Sequence, residues 1–272
     1  MRRNLRTIVR ILLVVMFQRG NAQDSTTALI GFLPEQKIFP LFTADGLSHQ
    51  LSLTRVTENR EWIGAVGGSV PILQLSLPQM TMQASVAVTI FNRLIKTPDH
   101  LTVYTVDFKV DFPLDIRLSD LALRIAAGHI SCHFADDAIE LLGKHSIQHI
   151  NDYVSLDGAY DVSAILGYVY GGFNYSYGTQ PVAFRPWLLQ VGTEFANIKL
   201  HKEISVYGAI DLKVRQEVGW GSTRSFQVGV KLFPHLNRRL RLAYTLRLGF
   251  EDRGQFYWNQ ETLNLVSAFI DL

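Results

Sequence analysis

The sequence predicts an all-β fold, an antiparallel transmembrane β-barrel of about twelve strands with ten as the alternative, preceded by a short N-terminal non-barrel segment. Three observations carry this. Long stretches alternate apolar and polar residues with a period of two, as strands do. The 272 residues are 47% hydrophobic but only 18% charged, below the roughly 25% usual in soluble domains. No stretch after the first 23 residues approaches the ~18–20 unbroken apolar residues of a membrane helix, so the apolar content is spread over alternate positions.

Residues 1–23 read as an export signal. Arg2, Arg3, Arg6 and Arg10 form a basic start, Ile11 to Phe17 a short apolar core, and Gly20 and Ala22 a small-residue cleavage region. Cleavage takes five arginines from 26 basic residues, against 24 acidic ones, and leaves a net charge of −3. No basic run survives, so nucleic acid is not an expected partner. The single cysteine, Cys132, rules out an internal disulfide framework. Residues 24–46 contain two prolines and no alternation, and are expected to pack irregularly ahead of a barrel over 47–272.

The clearest strand is Thr102 to Phe112. Tyr104, Val106, Phe108, Val110 and Phe112 share one face, and Asp107, Lys109 and Asp111 the other. Ile204–Arg215, Ser225–Leu232 and Arg239–Gly249 repeat the pattern, placing Asp211, Lys213, Arg215, Lys231, Arg239, Arg241 and Arg247 on the polar face. Further strands are expected at Leu47–Thr57, Trp62–Val70, Gln83–Leu94, Leu121–Phe134, Ser155–Tyr168, Leu188–Phe195 and Leu263–Leu272. A sandwich or lipocalin also alternates, but there the apolar face is the core. Uniformly large apolar faces and a preceding export signal favour the membrane. The aromatics of Gly167–Gly178 and Phe184–Leu189 would then be interfacial girdles. The mixed charges inside would pair, closing so narrow a lumen as readily as opening it.

On this reading the chain lies in the bacterial outer membrane in a structural or transport-related role, with outer-membrane lipid and the barrel-assembly machinery as its partners. The final strand closes the barrel, and Leu272 stands where such proteins usually end in an aromatic residue, although Phe269 is near. Oligomeric state and cofactors are left open by the sequence.

One stretch carries chemistry. In GHISCHFADD, Gly128 to Asp137, the side chains of His129, Ser131 and His133 fall on one face of a strand. They share the parity of Leu121, Leu123, Ile125 and Ala127, so in a regular strand they face lipid near the end of the span. A β-bulge at Gly128 would turn them inward. Three readings stay open: interfacial polar residues, a hydrolase, or a metal site of His129 and His133 with Asp136 or Asp137. Asp136–Tyr153 does not alternate and reads as a short helix or lid. His145 and His149 within it read as solvated loop residues.

The H-x-S pair resembles the motif of outer-membrane phospholipase A and of the barrel lipid A deacylases. The resemblance implies a nucleophile at Ser131 and a base at His129, with a third polar residue orienting the histidine. It departs in Cys132, where those families carry asparagine, and at Gly143, where their orienting residue falls. Asp136 or Glu140 could take that role. More widely, FPLFTADG, GHISCHFADD, YGGFNY, LLQVGTEF and EDRGQFY occur in the order seen in an uncharacterised bacterial family, to which residues 39–257 are similar. That family resembles exported barrels with an H-x-S-x-H-x-x-D element, which implies the barrel and no activity.

Overall fold

Alternation along the chain resolves, in a computed structural model, into thirteen strands, one short α-helix and three single-turn 3-10 helices among the described residues. The structure describes residues 28–143, 145–180, 185–234 and 239–271. The expected signal peptide, residues 1–23, lies outside them. The strands are β1 (Leu29–Phe32), β2 (Leu51–Val56), β3 (Glu61–Leu77), β4 (Met80–Lys96), β5 (Leu101–Leu118) and β6 (Leu121–Phe134). After α1 (Asp136–Leu142) come β7 (His149–Val162), β8 (Gly167–Gln180), β9 (Trp187–His201), β10 (Ile204–Arg215), β11 (Gly221–Leu232), β12 (Arg239–Phe250) and β13 (Gln260–Asp271).

β2 to β13 form a closed antiparallel barrel of twelve strands. Each strand pairs with its sequence neighbours, and β13 returns to β2 in the register Leu265↔Val56 through Ile270↔Leu51. Closure removes the free edges that an open sheet of this length would expose. β1 is an extra strand, laid against the far end of β3 (Leu29↔Ser76 through Phe32↔Leu73).

The two rims differ. One carries tight turns, such as the two-residue turn at Ser119 and Asp120, where Ser119 adopts φ 51° as hairpin geometry requires. The other carries the longer connections: residues 135–148 with α1, and 251–259. We call these the turn rim and the loop rim.

The two faces of the wall are chemically opposite. On β11, Phe226 and Val228 are 41% and 59% exposed outward, while Ser225, Gln227 and Lys231 are buried inside. The inward charges expected from the sequence are there, and most of them are paired, Asp107 being an exception among the described residues. Lys231 donates to Glu194 at 2.5 Å, Arg241 donates to both Asp271 oxygens at 2.8 and 2.9 Å, and Lys213 donates to Asp252 at 3.0 Å. Such pairs add little net stability, but removing one partner strands a buried charge and costs about 3–5 kcal/mol.

Two chain segments fill the lumen. Residues 33–50 leave β1, enter the barrel and return to β2. Within this plug Asp45 pairs with Lys213, Phe42 stacks on Tyr170 at 3.9 Å, and Phe39 lies under the Arg124 guanidinium at 4.1 Å. His49 bridges the wall, its Nε2 2.8 Å from Asp111 Oδ2 and its Nδ1 3.0 Å from the Thr89 hydroxyl. At the loop rim, residues 251–257 fold inward as a cap. Gln255 Nε2 donates to the carbonyls of Cys132 and Ile147, both at 2.7 Å.

Three expectations from the sequence are corrected. Residues 47–50 belong to the plug and β2 begins at Leu51, because Ser48 and His49 are held by lumenal partners rather than by a ladder. The aromatic stretch 167–178 is mostly the spanning strand β8, with Tyr168 and Tyr170 turned inward against the plug and Phe173 and Tyr177 outward. β7 begins at His149, so His149 is a buried wall residue beside Tyr257 rather than a solvated one, while His145 is exposed.

Candidate active site

β6 runs from the turn rim to the loop rim without a bulge. Its pairings with β5 and β7 are continuous, from Leu118↔Leu121 to Thr105↔Phe134 and from Leu121↔Tyr160 to Cys132↔His149. The facing is therefore set by parity. Leu121, Leu123, Ile125, Ala127, His129, Ser131 and His133 lie outward, and Ala122, Ala126, Ile130 and Cys132 are buried inward.

Gly128 is not a bulge. A Cβ there would stand 2.1 Å from Asp111 Oδ1 and 2.4 Å from the Tyr153 ring. The missing side chain lets Tyr153 reach across β6 and donate to Asp111 at 2.6 Å. This inner bond ties β5 to β7 directly behind His129 and holds the three strands in register.

On the outer face, Asp152 of β7 sits opposite His129 in the ladder. His129 Nδ1 and Asp152 Oδ1 are 2.6 Å apart, with both side chains partly exposed, 44% and 39%. With the proton on Nδ1, the carboxylate fixes the ring and leaves Nε2 as an acceptor. Ser131 is two residues further along the same face, about 6.6 Å in strand rise. Phe108 and Ile150 flank it from the neighbouring strands, and Phe108 also lies 6.4 Å from the His133 ring. A hydroxyl, an imidazole held by a carboxylate and apolar walls thus share one outward patch near the loop rim. An imidazole held by a carboxylate is the kind of base that activates an alcohol for acyl transfer where the two meet.

The carboxylate bonded to His129 is one the sequence reading did not name: Asp136 and Glu140 belong to α1, beyond the end of β6, whereas Asp152 stands opposite His129 on the adjacent strand. Asp136 and Asp137 make up the acidic first turn of α1. Among the described residues no group of three His, Cys, Asp or Glu side chains could hold a metal ion, so His129, His133, Asp136 and Asp137 do not assemble into one. Cys132 is fully buried on the inner face, on a rung with Asp107 and His149, and the wall separates it from Ser131.

Comparison with solved structures finds an outer membrane phospholipase and a porin. The Salmonella typhi outer membrane phospholipase (OMPLA), crystallised as a dimer with bound calcium, is 12% identical over 81% of this chain and 88% of its own, with a TM-score of 0.48. A BenF-like porin from Pseudomonas fluorescens Pf-5 is 10% identical over 80% of this chain and 65% of its own, with a TM-score of 0.31. Among curated proteins no sequence matches. The family described as "Protein of unknown function (DUF1207)" matches residues 15–266, nearly the whole barrel, and the chain belongs to that family.

Proposed function

We propose that the chain is an exported outer-membrane barrel and a lipid-directed serine esterase, with Ser131 as nucleophile, His129 as base and Asp152 as the group that orients His129. The observation that carries this is the 2.6 Å His129–Asp152 bond on the outward face of β6 and β7, with Ser131 on the same face. The outward apolar belt supports the membrane placement, since large side chains such as Phe112 and Val191 are more than half exposed there.

In the reaction, Ser131 Oγ attacks the ester carbonyl carbon while His129 Nε2 takes its proton. The tetrahedral intermediate collapses, the alkoxide leaves with that proton, and an acyl–Ser131 ester remains. Water then repeats the sequence, releasing a fatty acid and the free serine. Asp152 stabilises the imidazolium formed in each half. Phe108 and Ile150 offer the acyl chain an apolar bed.

The other reading from the sequence is a structural or transport role. Plug and cap occupy the lumen among the described residues, which favours chemistry on the outer wall over solute passage. The test is hydrolysis of phospholipid and lipid A by refolded protein. Wild type should release fatty acid and Ser131→Ala should not; equal release by both would overturn the assignment.

A further inference from the structure

β3 pairs with β4 along its whole length, but its other edge is covered in two pieces. β2 takes Trp62–Ala65 and β1 takes Leu73–Ser76, with the Leu33 amide donating to the Ile72 carbonyl at 3.0 Å. Residues 66–71 have no strand on that side among the described residues. The interval is about 20 Å long at roughly 3.3 Å per residue. Pro71, which has no N–H to leave unmet, and the register slip beside it suit an interrupted edge.

Behind this interval is a lumenal cavity of about 490 Å³. Its lining includes the inward-facing Asp111 and Asp157. It also includes Gly68 and Ile270, whose parity on β3 and β13 is outward. The cavity therefore meets the wall at this interval, where the flanking Val66, Val70 and Ile270 are 59%, 55% and 45% exposed.

The carboxylates inside differ. Asp111 is held by His49 and Tyr153, and Asp115 by two bonds from Arg124 at 2.6 and 2.9 Å. Asp157 accepts only the Ser155 hydroxyl, at 3.1 Å. Arg124 stands opposite it in the ladder and directs two of its five N–H donors to Asp115. No lysine or arginine of the described residues forms an ion pair with Asp157, although it is 9% exposed. A carboxylate so placed favours an arriving cation.

We propose that the gap between β1 and β2 is a lateral portal through which the amine-bearing headgroup of a bilayer amphiphile enters the lumen. Its ammonium pairs with Asp157, while its chain stays in lipid against Val66 and Val70. The proposal rests on the membrane placement argued above and is independent of Ser131.

The test uses full-length Ser131→Ala protein refolded in uncharged detergent, so that turnover cannot consume a ligand. Native mass spectrometry would follow lysophosphatidylethanolamine, lysophosphatidylglycerol of the same chain, and free ethanolamine. The amine lipid should bind one per barrel, about tenfold or more tighter than the glycerol lipid, as one charge-assisted bond warrants. Asp157→Asn should erase that preference. Gly68→Trp, at the sill of the gap, should weaken the amine lipid while heat-modifiable mobility stays normal. Equal binding of the two lipids, or a preference that survives Asp157→Asn, would overturn the headgroup assignment. Ethanolamine binding as tightly as its lipid would overturn the portal. If Asp157→Asn does not fold, Gly68→Trp decides, because unchanged lipid binding there contradicts entry through the wall.

Discussion

His129 on β6 and Asp152 on β7 face each other across one rung of the barrel wall, Nδ1 to Oδ1 at 2.6 Å, on the side away from the lumen. A histidine and an aspartate bonded on an apolar outer face are hard to explain as solubilising groups. Asp152→Asn should keep the geometry but lose the charge that stabilises imidazolium. Ester hydrolysis is expected to fall about 10²–10⁴-fold with no change in folding. Fatty-acid release at matched heat-modifiable mobility would measure it. A rate within a few-fold of wild type would remove Asp152 from the mechanism.

The proposed mechanism makes the three residues one unit, so the losses should not multiply. Ser131→Ala and His129→Ala should each nearly abolish hydrolysis, and the double variant should be little worse than either. His133→Ala should cost less, since His133 lies beyond the serine, beside the Phe108 ring. Kinetics of the four proteins on one substrate would check this, and multiplicative losses would argue against a shared mechanism.

Gly128 offers a structural test of the same wall. Gly128→Val would drive a side chain into Asp111 and Tyr153 and break their 2.6 Å bond. Overpacking of this kind costs about 1–3 kcal/mol, with the loss of a buried bond added to it. The midpoint of thermal unfolding should drop, and Tyr153→Phe should drop it less. An unshifted midpoint in Gly128→Val would show that the inner bond does not hold β5 to β7.

The plug and the cap make further expectations. Deleting residues 34–46 would remove Asp45 from Lys213 and Phe42 from Tyr170, and should turn a barrel closed to ions into a conducting one in planar bilayers. Unchanged conductance would contradict the role given to the plug. In the cap, burial alone would raise the Glu251 carboxyl, but Arg253, Arg247 and Arg93 outweigh it and hold the group at about 2, below its ordinary 4.5. A depressed carboxylate stabilises the fold above its unfolded value, and that contribution is lost as pH falls from about 4.5 toward 2. Thermal midpoints should decline across that window in wild type, and less steeply in Glu251→Gln. Parallel profiles would contradict the pairing.

Barrel class, strand number and the inward charges were legible because period-two alternation runs cleanly through several long strands, as in Phe226, Val228 and Val230 against Gln227 and Lys231. The parity of Ser131 was legible for the same reason, but its outward facing was decided only by the unbroken ladders of β6, which rule out the bulge at Gly128 that the sequence left open. Asp152 was not legible. Ile150, Asp152 and Val154 continue the outward face of β7, but the residues just before them, 135–148, form a helix and loop whose irregularity hid where the strand begins. The plug was hidden for a different cause. Residues 33–50 carry no period, since each side chain answers a particular lumenal partner, as Asp45 does Lys213, and such pairings exist only once the barrel has closed.

The central claim is that Ser131 is an activated nucleophile on the outer wall. Its most direct test is intact-mass and peptide mass spectrometry after treating refolded protein with a long-chain fluorophosphonate. The account predicts one adduct per chain, located on Ser131, lost in Ser131→Ala and strongly slowed in His129→Ala and Asp152→Asn. An unlabelled wild-type protein with normal heat-modifiable mobility, or an adduct that persists in Ser131→Ala, would contradict it.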